Sequence, residues 1–208
     1  MDEKESAKAA RIVEEASRII EWYGQNLFPD QMMSGEMFFI SHNSKQSGGF
    51  NRHITVELER FYSPDKVWGR FLLAHEIAHS WSISEPPATW NEQMFAEGGA
   101  DWSFLLISLS EGRLQFIKNY FYLTFFRCYL SKINSMLYRD KTYSPHLHGF
   151  LFYKGVYKKY GADAVKSCIR HFAGAKLKTG DGFLSVVKEN ETEEFYDYIE
   201  KLINKHLK

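Results

Sequence analysis

The chain has 208 residues, enough for one or two domains and too many for a miniprotein held together by disulfides. Its 26 Lys and Arg residues balance 26 Asp and Glu residues, so no net charge favours nucleic acid or an anionic membrane surface. Hydrophobic residues make up 44% and charged residues 25%, which is the composition of a folded protein and excludes a disordered one.

The N-terminal part of the sequence predicts one helix followed by short strands. Apolar residues recur with a period of 3.6 over residues 6–25, which predicts an amphipathic helix. The apolar run at 37–40 predicts a buried strand, and the alternation of apolar and polar residues over 54–58 predicts a second strand. Between them, Gly48 and Gly49 indicate either a simple turn or a strand that a substrate backbone can approach closely.

The remainder of the sequence predicts helices. Ser63 is a candidate N-cap of a helix over 63–83. Thr89 and Glu92 form a capping-box pattern, which predicts a new helix over 90–109. Further helices are predicted at 114–138, 147–159, 162–172 and 191–207.

Together these elements predict a single domain of the α+β class, mostly helical, over residues 1–208. We expect a small N-terminal β-sheet and the helix with the active site within residues 1–112. Residues 113–208 are expected to form a helical part. The sequence contains no internal repeat and no low-complexity segment.

Cysteines and apolar runs bear on the cellular compartment. Cys128 and Cys168 are the only cysteines and lack metal-ligand spacing, which favours reduced thiols in a reducing compartment. The N-terminal residues mix both charges and lack the apolar segment of a secretion signal. The most apolar stretch, 114–130, is interrupted by Lys118 and Arg127 and predicts a buried helix. We therefore expect a cytoplasmic protein without a membrane span if the chain is complete.

The segment HEIAHSW contains an HExxH motif inside the helix predicted at 63–83. His75 and His79 are four residues apart, so their side chains lie about 40° apart on one helical face and can reach one metal ion. Glu76 projects beside them and is the candidate general base. The alternative is a helix whose histidines only form hydrogen bonds in a core.

A third metal ligand is expected on the next helix. A catalytic zinc ion takes three protein ligands and a water molecule, and in one class the third ligand is a Glu on the following helix. Glu97 has this position. Asp101 lies one turn further along the same face, where its carboxylate could hold a ligating His by the other ring nitrogen, or be an ordinary surface charge.

The segment HEIAHSWSISEPPATWNEQMFAEGGADW resembles the zinc-binding segment of the gluzincin peptidases, which include the aminopeptidase N, leukotriene hydrolase and glycyl aminopeptidase types. Family positions are matched by Trp81, Trp90, Glu97, Gly98 and Ala100. Between His79 and Glu97 there are 17 residues, one fewer than the family usually has. The resemblance implies a zincin-like fold, one zinc ion, and a metallopeptidase in which Glu76 is the general base.

The resemblance also bears on substrate binding. The family's edge strand often carries a Gly-x-x-Glu pattern whose Glu binds the amino terminus of the substrate. Here Gly48 begins the pattern, and Asn51 stands at the position of that Glu. An amide cannot form the ion pair with an ammonium group, so aminopeptidase specificity does not follow. Gly48, Gly49 and Asn51 are the candidate substrate-binding residues.

A hydroxyl donor for the transition state is expected further along the chain. The family's Tyr-x-Lys-Gly pattern, whose Tyr hydroxyl stabilises the tetrahedral transition state, is similar to FYKG here. Phe152 stands at the position of the Tyr, and Tyr153 follows it. Tyr153 is the predicted catalytic donor, and Tyr143, His146 and His148 are the alternatives.

These residues predict a zinc-dependent peptidase that acts on a peptide or protein. The proposed ligands are His75, His79 and Glu97. One alternative is a catalytically impaired, peptidase-like domain that binds zinc and serves in protein interactions. A second is a helical scaffold that binds no metal.

Overall fold

The computed structural model describes residues 3–31, 33, 37–41, 48–50, 53–57, 66–82, 93–113, 115, 117, 118 and 145–207. Within these ranges the helices are α1 (Glu3–Asn26), α2 (Lys66–Ser82), α3 (Gln93–Ser110), α4 (Pro145–Gly174), α5 (Gly180–Asn190) and α6 (Glu193–Leu207). The strands are β1 (Met37–Ser41), β2 (Gly48–Phe50) and β3 (His53–Glu57).

Helix α1 packs one apolar face against α2. The residues that it buries are Ala9, Ile12, Ala16, Ile19 and Tyr23, spaced three or four apart as one helical face requires. The Tyr23 hydroxyl donates a hydrogen bond to the carbonyl oxygen of Ala74 at 3.2 Å. Beyond α1, the ring of Phe28 stacks on Trp81 with centroids 5.0 Å apart. These contacts hold α2, which carries the HExxH motif, at both its middle and its end.

Helix α3 is the centre of the described core. Fourteen of its residues are buried, on every side of the helix, because α1, α2 and α4 surround it. Gly98 on α3 and Gly149 on α4 bring the two backbones into contact. The indole nitrogen of Trp102 donates a hydrogen bond to the carbonyl oxygen of Phe150 at 3.2 Å. The first turns of α4 are thereby fixed beside the segment of α3 that contains Glu97.

Helices α5 and α6 cover the outer side of α4. Gly161 interrupts α4 with a φ of 83°, a left-handed conformation that glycine adopts without the steric cost of a Cβ atom. Thr179 caps α5, since its side chain accepts a hydrogen bond from the Gly182 nitrogen at 3.0 Å. The Tyr198 hydroxyl of α6 donates to the carbonyl oxygen of Gly155 at 3.0 Å.

The three strands form one small sheet in the order β1-β3-β2. Strand β1 pairs in parallel with β3, with Met37 opposite His53, and β2 pairs antiparallel with β3, with Gly48 opposite Thr55. The strands have only five, three and five residues. Ile54 of β3 adds a buried side chain to the core that the helices form.

The predicted fold class, α+β with a zincin-like arrangement, is therefore wrong. The described protein is predominantly α-helical, and its buried core is a helical one centred on α3. The prediction failed because apolar runs of four or five residues were taken as a defining layer of the fold. Such runs are too short to bury a core comparable to that of a helix enclosed on all sides.

Several predicted helices are confirmed with shifted ends. The prediction at 6–25 corresponds to α1, and those at 147–159 and 162–172 are joined in α4 with a bend at Gly161. Helix α5 was not predicted, because only Thr179 and a few apolar positions indicate it. The capping box at Thr89 and most of the helix predicted at 114–138 lie outside the described residues. Among the described residues, no helix combines the length and apolar composition needed to cross a bilayer.

Candidate metal centre

The two histidines of the HExxH motif point toward one another from successive turns of α2. The Nε2 atoms of His75 and His79 lie 3.1 Å apart. The side chain of His75 is 5% exposed and that of His79 is 15% exposed, so both imidazoles are largely withdrawn from water. Their four-residue spacing on a regular helix produces this convergence.

Glu97 reaches the same point from α3. Its Oε2 atom lies 3.1 Å from Nε2 of His75 and 3.5 Å from Nε2 of His79. Three potential ligand atoms, two nitrogens and one oxygen, are therefore separated pairwise by 3.1–3.5 Å. They come from two helices whose backbones are fixed by core packing.

This donor set fits a zinc ion. Ligand atoms bound at about 2.0–2.1 Å in tetrahedral geometry lie about 3.3–3.4 Å from one another, close to the separations found here. Imidazole nitrogen and carboxylate oxygen are ordinary zinc ligands. The same distances suit hydrogen bonds with a protonated imidazole when no metal is bound.

Asp101 orients His75 from behind. Its Oδ1 atom lies 2.8 Å from Nδ1 of His75, and its side chain is 3% exposed. When the N–H of Nδ1 in a neutral imidazole donates a hydrogen bond to this carboxylate, Nε2 carries the free electron pair and faces Glu97. Metal-ligating histidines usually have such a carboxylate partner.

The carboxylates favour a positively charged species at this centre. Burial lowers the pKa of His75, but its hydrogen bonds to Asp101 and Glu97 and their charges outweigh burial and hold the pKa well above its usual value. Burial raises the pKa of Glu97, but the charges and hydrogen bonds of His79 and His75 hold it well below the usual range. A metal cation supplies the same compensating charge.

His146 joins the centre from the first turn of α4. Its Nε2 atom lies 3.5 Å from Oε2 of Glu97, and its Nδ1 atom lies 3.5 Å from Oδ2 of Asp101. The ligand atoms of His75, Glu97 and His146 lie within 4.8 Å of one another. The set formed by His75, His79 and Glu97 is more compact, with pairwise distances of 3.1–3.5 Å.

The structure does not bring Tyr153 to the centre. Tyr153 is fully buried, and its hydroxyl donates a hydrogen bond to the carbonyl oxygen of Phe95 at 3.1 Å. Burial, with the nearby Cys168, raises its pKa well above the usual value. The prediction of a catalytic Tyr153 is corrected accordingly, because its hydroxyl is bound in the core by the Phe95 carbonyl oxygen.

Of the predicted general base, substrate-binding residues and alternative hydroxyl or imidazole donors, those that the structure describes lie in different parts of it. Glu76 is half-buried on α2. Gly48 and Gly49 lie in β2, an edge strand of the described sheet. His148 contacts His206 of α6, with ring centroids 6.2 Å apart. Asn51 and Tyr143, one a predicted substrate contact and the other an alternative donor, lie outside the described residues.

The position of His146 was missed as part of the metal centre. The sequence separates it from Glu97 by 48 residues, and no motif spacing joins the two. His146 lies at the start of α4, and the packing of Gly98 against Gly149 places that start beside the carboxylates.

Comparisons of the chain with protein-family models, with curated proteins and with solved structures gave no match. Any conclusion about function therefore rests on the residues of the centre, their arrangement and the sequence segment that contains them.

Proposed function

We propose that the protein is a zinc-dependent peptidase whose metal ligands are His75, His79 and Glu97. The observation that carries the proposal is the convergence of their three ligand atoms at pairwise distances of 3.1–3.5 Å. The buried Asp101 behind His75 supports a metal ligand over an ordinary core histidine. The similarity of the surrounding segment to gluzincin peptidases supports peptide hydrolysis as the reaction.

The residues of the centre divide the chemistry between them. A bound zinc ion supplies Lewis acidity, which lowers the pKa of water and polarises a carbonyl group. Glu76 takes the proton from the attacking water and returns it to the leaving amine. His75 and His79 remain neutral while they bind metal, and Asp101 keeps His75 in the required tautomer.

The test separates metal binding from catalysis. Protein freed of metal by a chelator is reloaded with zinc, and we expect one zinc per chain by elemental analysis and turnover of a fluorogenic peptide library. Glu76→Gln should retain the zinc and lose about 10²–10⁴-fold in kcat/KM. Glu14→Gln, a change of the same kind on the exposed face of α1, should leave both unchanged.

Two outcomes of this experiment would contradict the proposal. Wild-type turnover in Glu76→Gln rejects Glu76 as the general base. A zinc content well below one per chain rejects the ligand set itself.

A second candidate function is a zinc-binding interaction domain without catalysis. The burial of Tyr153 favours it, because the expected transition-state donor is engaged in the core. Stoichiometric zinc without turnover of any library peptide is the result expected of this second function.

A further inference from the structure

His146 has the surroundings of a metal ligand. Of the two carboxylate oxygens of Asp101, Oδ1 lies 2.8 Å from Nδ1 of His75 and Oδ2 lies 3.5 Å from Nδ1 of His146. One buried carboxylate thus faces the same ring nitrogen of two imidazoles.

Asp101 has the same effect on the Nε2 atoms of His75 and His146. In the neutral form that binds metal, protonated Nδ1 atoms facing Asp101 leave both Nε2 atoms with a free electron pair. These Nε2 atoms lie 3.1 Å and 3.5 Å from Oε2 of Glu97, for His75 and His146 respectively. Both imidazoles therefore lie between the same two carboxylates, at longer distances for His146 than for His75, although only His75 belongs to the HExxH motif.

We propose that His146 is a fourth protein ligand that closes the metal centre at rest and moves away to admit water or substrate. The inference rests on the proposed zinc site and adds its regulation. Four protein ligands are typical of closed structural zinc sites, whereas catalytic sites keep one position open. With His146 bound, the position that the attacking water needs is filled.

His146 is the ligand that can leave at least cost. Its side chain is 49% exposed, compared with 5% for His75 and 15% for His79. It stands on the first turn of α4, and its departure requires rotation of one side chain into solvent. The contact between Gly98 and Gly149 holds the backbone of α4 in place, so the opening needs no helix movement.

The direct test counts the histidine ligands. Protein containing ¹⁵N-labelled histidine is loaded with ¹¹³Cd²⁺ as a spectroscopic substitute for zinc, and one-bond ¹¹³Cd–¹⁵N couplings are assigned by NMR. We expect couplings to His75, His79 and His146 in the wild type and to the first two in His146→Ala. His171→Ala should retain all three, because His171 is a partly buried histidine of the same helix that pairs with Glu191 at 2.8 Å.

Access to the metal gives a second readout. Zinc affinity, measured by competition with a chromogenic chelator, should fall about tenfold or more in His146→Ala, because one ligand is lost. Acetohydroxamate, which needs a vacant coordination position, should bind zinc-loaded His146→Ala at least tenfold more tightly than the zinc-loaded wild type. His171→Ala should behave as the wild type in both measurements.

The outcomes separate this inference from the proposed function. Wild-type couplings to His75 and His79 without His146 overturn the fourth ligand and leave the peptidase proposal intact. Three couplings, with no peptide turnover in either the wild type or His146→Ala, support the fourth ligand and contradict the peptidase. A chain that binds neither cadmium nor zinc overturns both.

Discussion

Gly98 and Gly149 bring the backbones of α3 and α4 into direct contact: a Cβ atom at Gly98 would lie 2.5 Å from Cα of Gly149. In the sequence, Glu97 directly precedes Gly98 and His148 directly precedes Gly149. A separation this small is possible only without side chains, and it sets the distance between Glu97 and His146. The candidate metal centre is thus positioned by a helix contact between two residues that are not candidate ligands.

Gly149→Ala should disturb the centre without changing any ligand. The new Cβ would meet the carbonyl oxygen of Met94 and would lie 2.7 Å from Cα of Gly98, both backbone atoms that cannot turn aside. We expect a loss of about 1–3 kcal/mol in the free energy of unfolding and weaker zinc binding. Urea unfolding and chelator competition measure the two effects.

The control is Gly24→Ala on α1, where an added Cβ meets nothing within 4 Å. That change should be neutral or stabilising by up to about 1 kcal/mol, because alanine favours the helix. Equal effects of the two substitutions would contradict the role of the glycine contact.

The candidate metal ligands could be predicted from the sequence more completely than the fold could. The spacing of His75 and His79 is a local property of a helix, so it could be predicted from seven residues. The approach of His146 depends on how α3 and α4 pack, which no spacing along the chain encodes. Tyr153 shows the limit of transferred patterns, because its hydroxyl is hydrogen-bonded to the Phe95 carbonyl inside the helical core, a contact that depends on how α3 and α4 pack.

Asp101→Asn should weaken zinc binding about 10–100-fold. The amide keeps the size of the side chain but removes the negative charge that orients His75 at 2.8 Å and stabilises a bound cation. Chelator competition measures the dissociation constant. Asp163→Asn is the control, since that carboxylate is exposed and pairs with Lys166 at 2.9 Å. Similar zinc affinities in both variants would count against Asp101 as the orienting group.

The stability of the protein should depend on pH with opposite signs in the absence and presence of zinc. The pKa of His75 is lowered by burial but raised more by Asp101 and Glu97, so that it lies well above the usual value. A group whose pKa rises on folding contributes stability below its unfolded pKa of about 6.5 and loses it as pH rises through the folded pKa. Without metal, the free energy of unfolding should therefore fall over that interval.

Zinc reverses this dependence because it binds deprotonated imidazoles, so its stabilising effect grows as the pH rises.

On the acid side, the pKa of Asp101 is raised by burial but lowered more by hydrogen bonds from His146 and His75. Its contribution is present above its unfolded pKa of about 3.9 and is lost as the pH falls through the folded pKa. Urea unfolding at a series of pH values, with excess chelator or excess zinc, tests both signs; parallel curves would contradict metal binding by these histidines.

Tyr153→Phe should change stability and leave the metal centre unaffected. The substitution removes the buried hydrogen bond to the Phe95 carbonyl, so we expect a loss of about 1–3 kcal/mol in the free energy of unfolding. Zinc affinity and any peptide turnover should stay at wild-type levels, since the hydroxyl faces the core. Tyr157→Phe is a suitable control because Tyr157 is 39% exposed, and its effect should be within about 0.5 kcal/mol. A large loss of turnover in Tyr153→Phe, with zinc binding and folding intact, would restore the tyrosine as the transition-state donor.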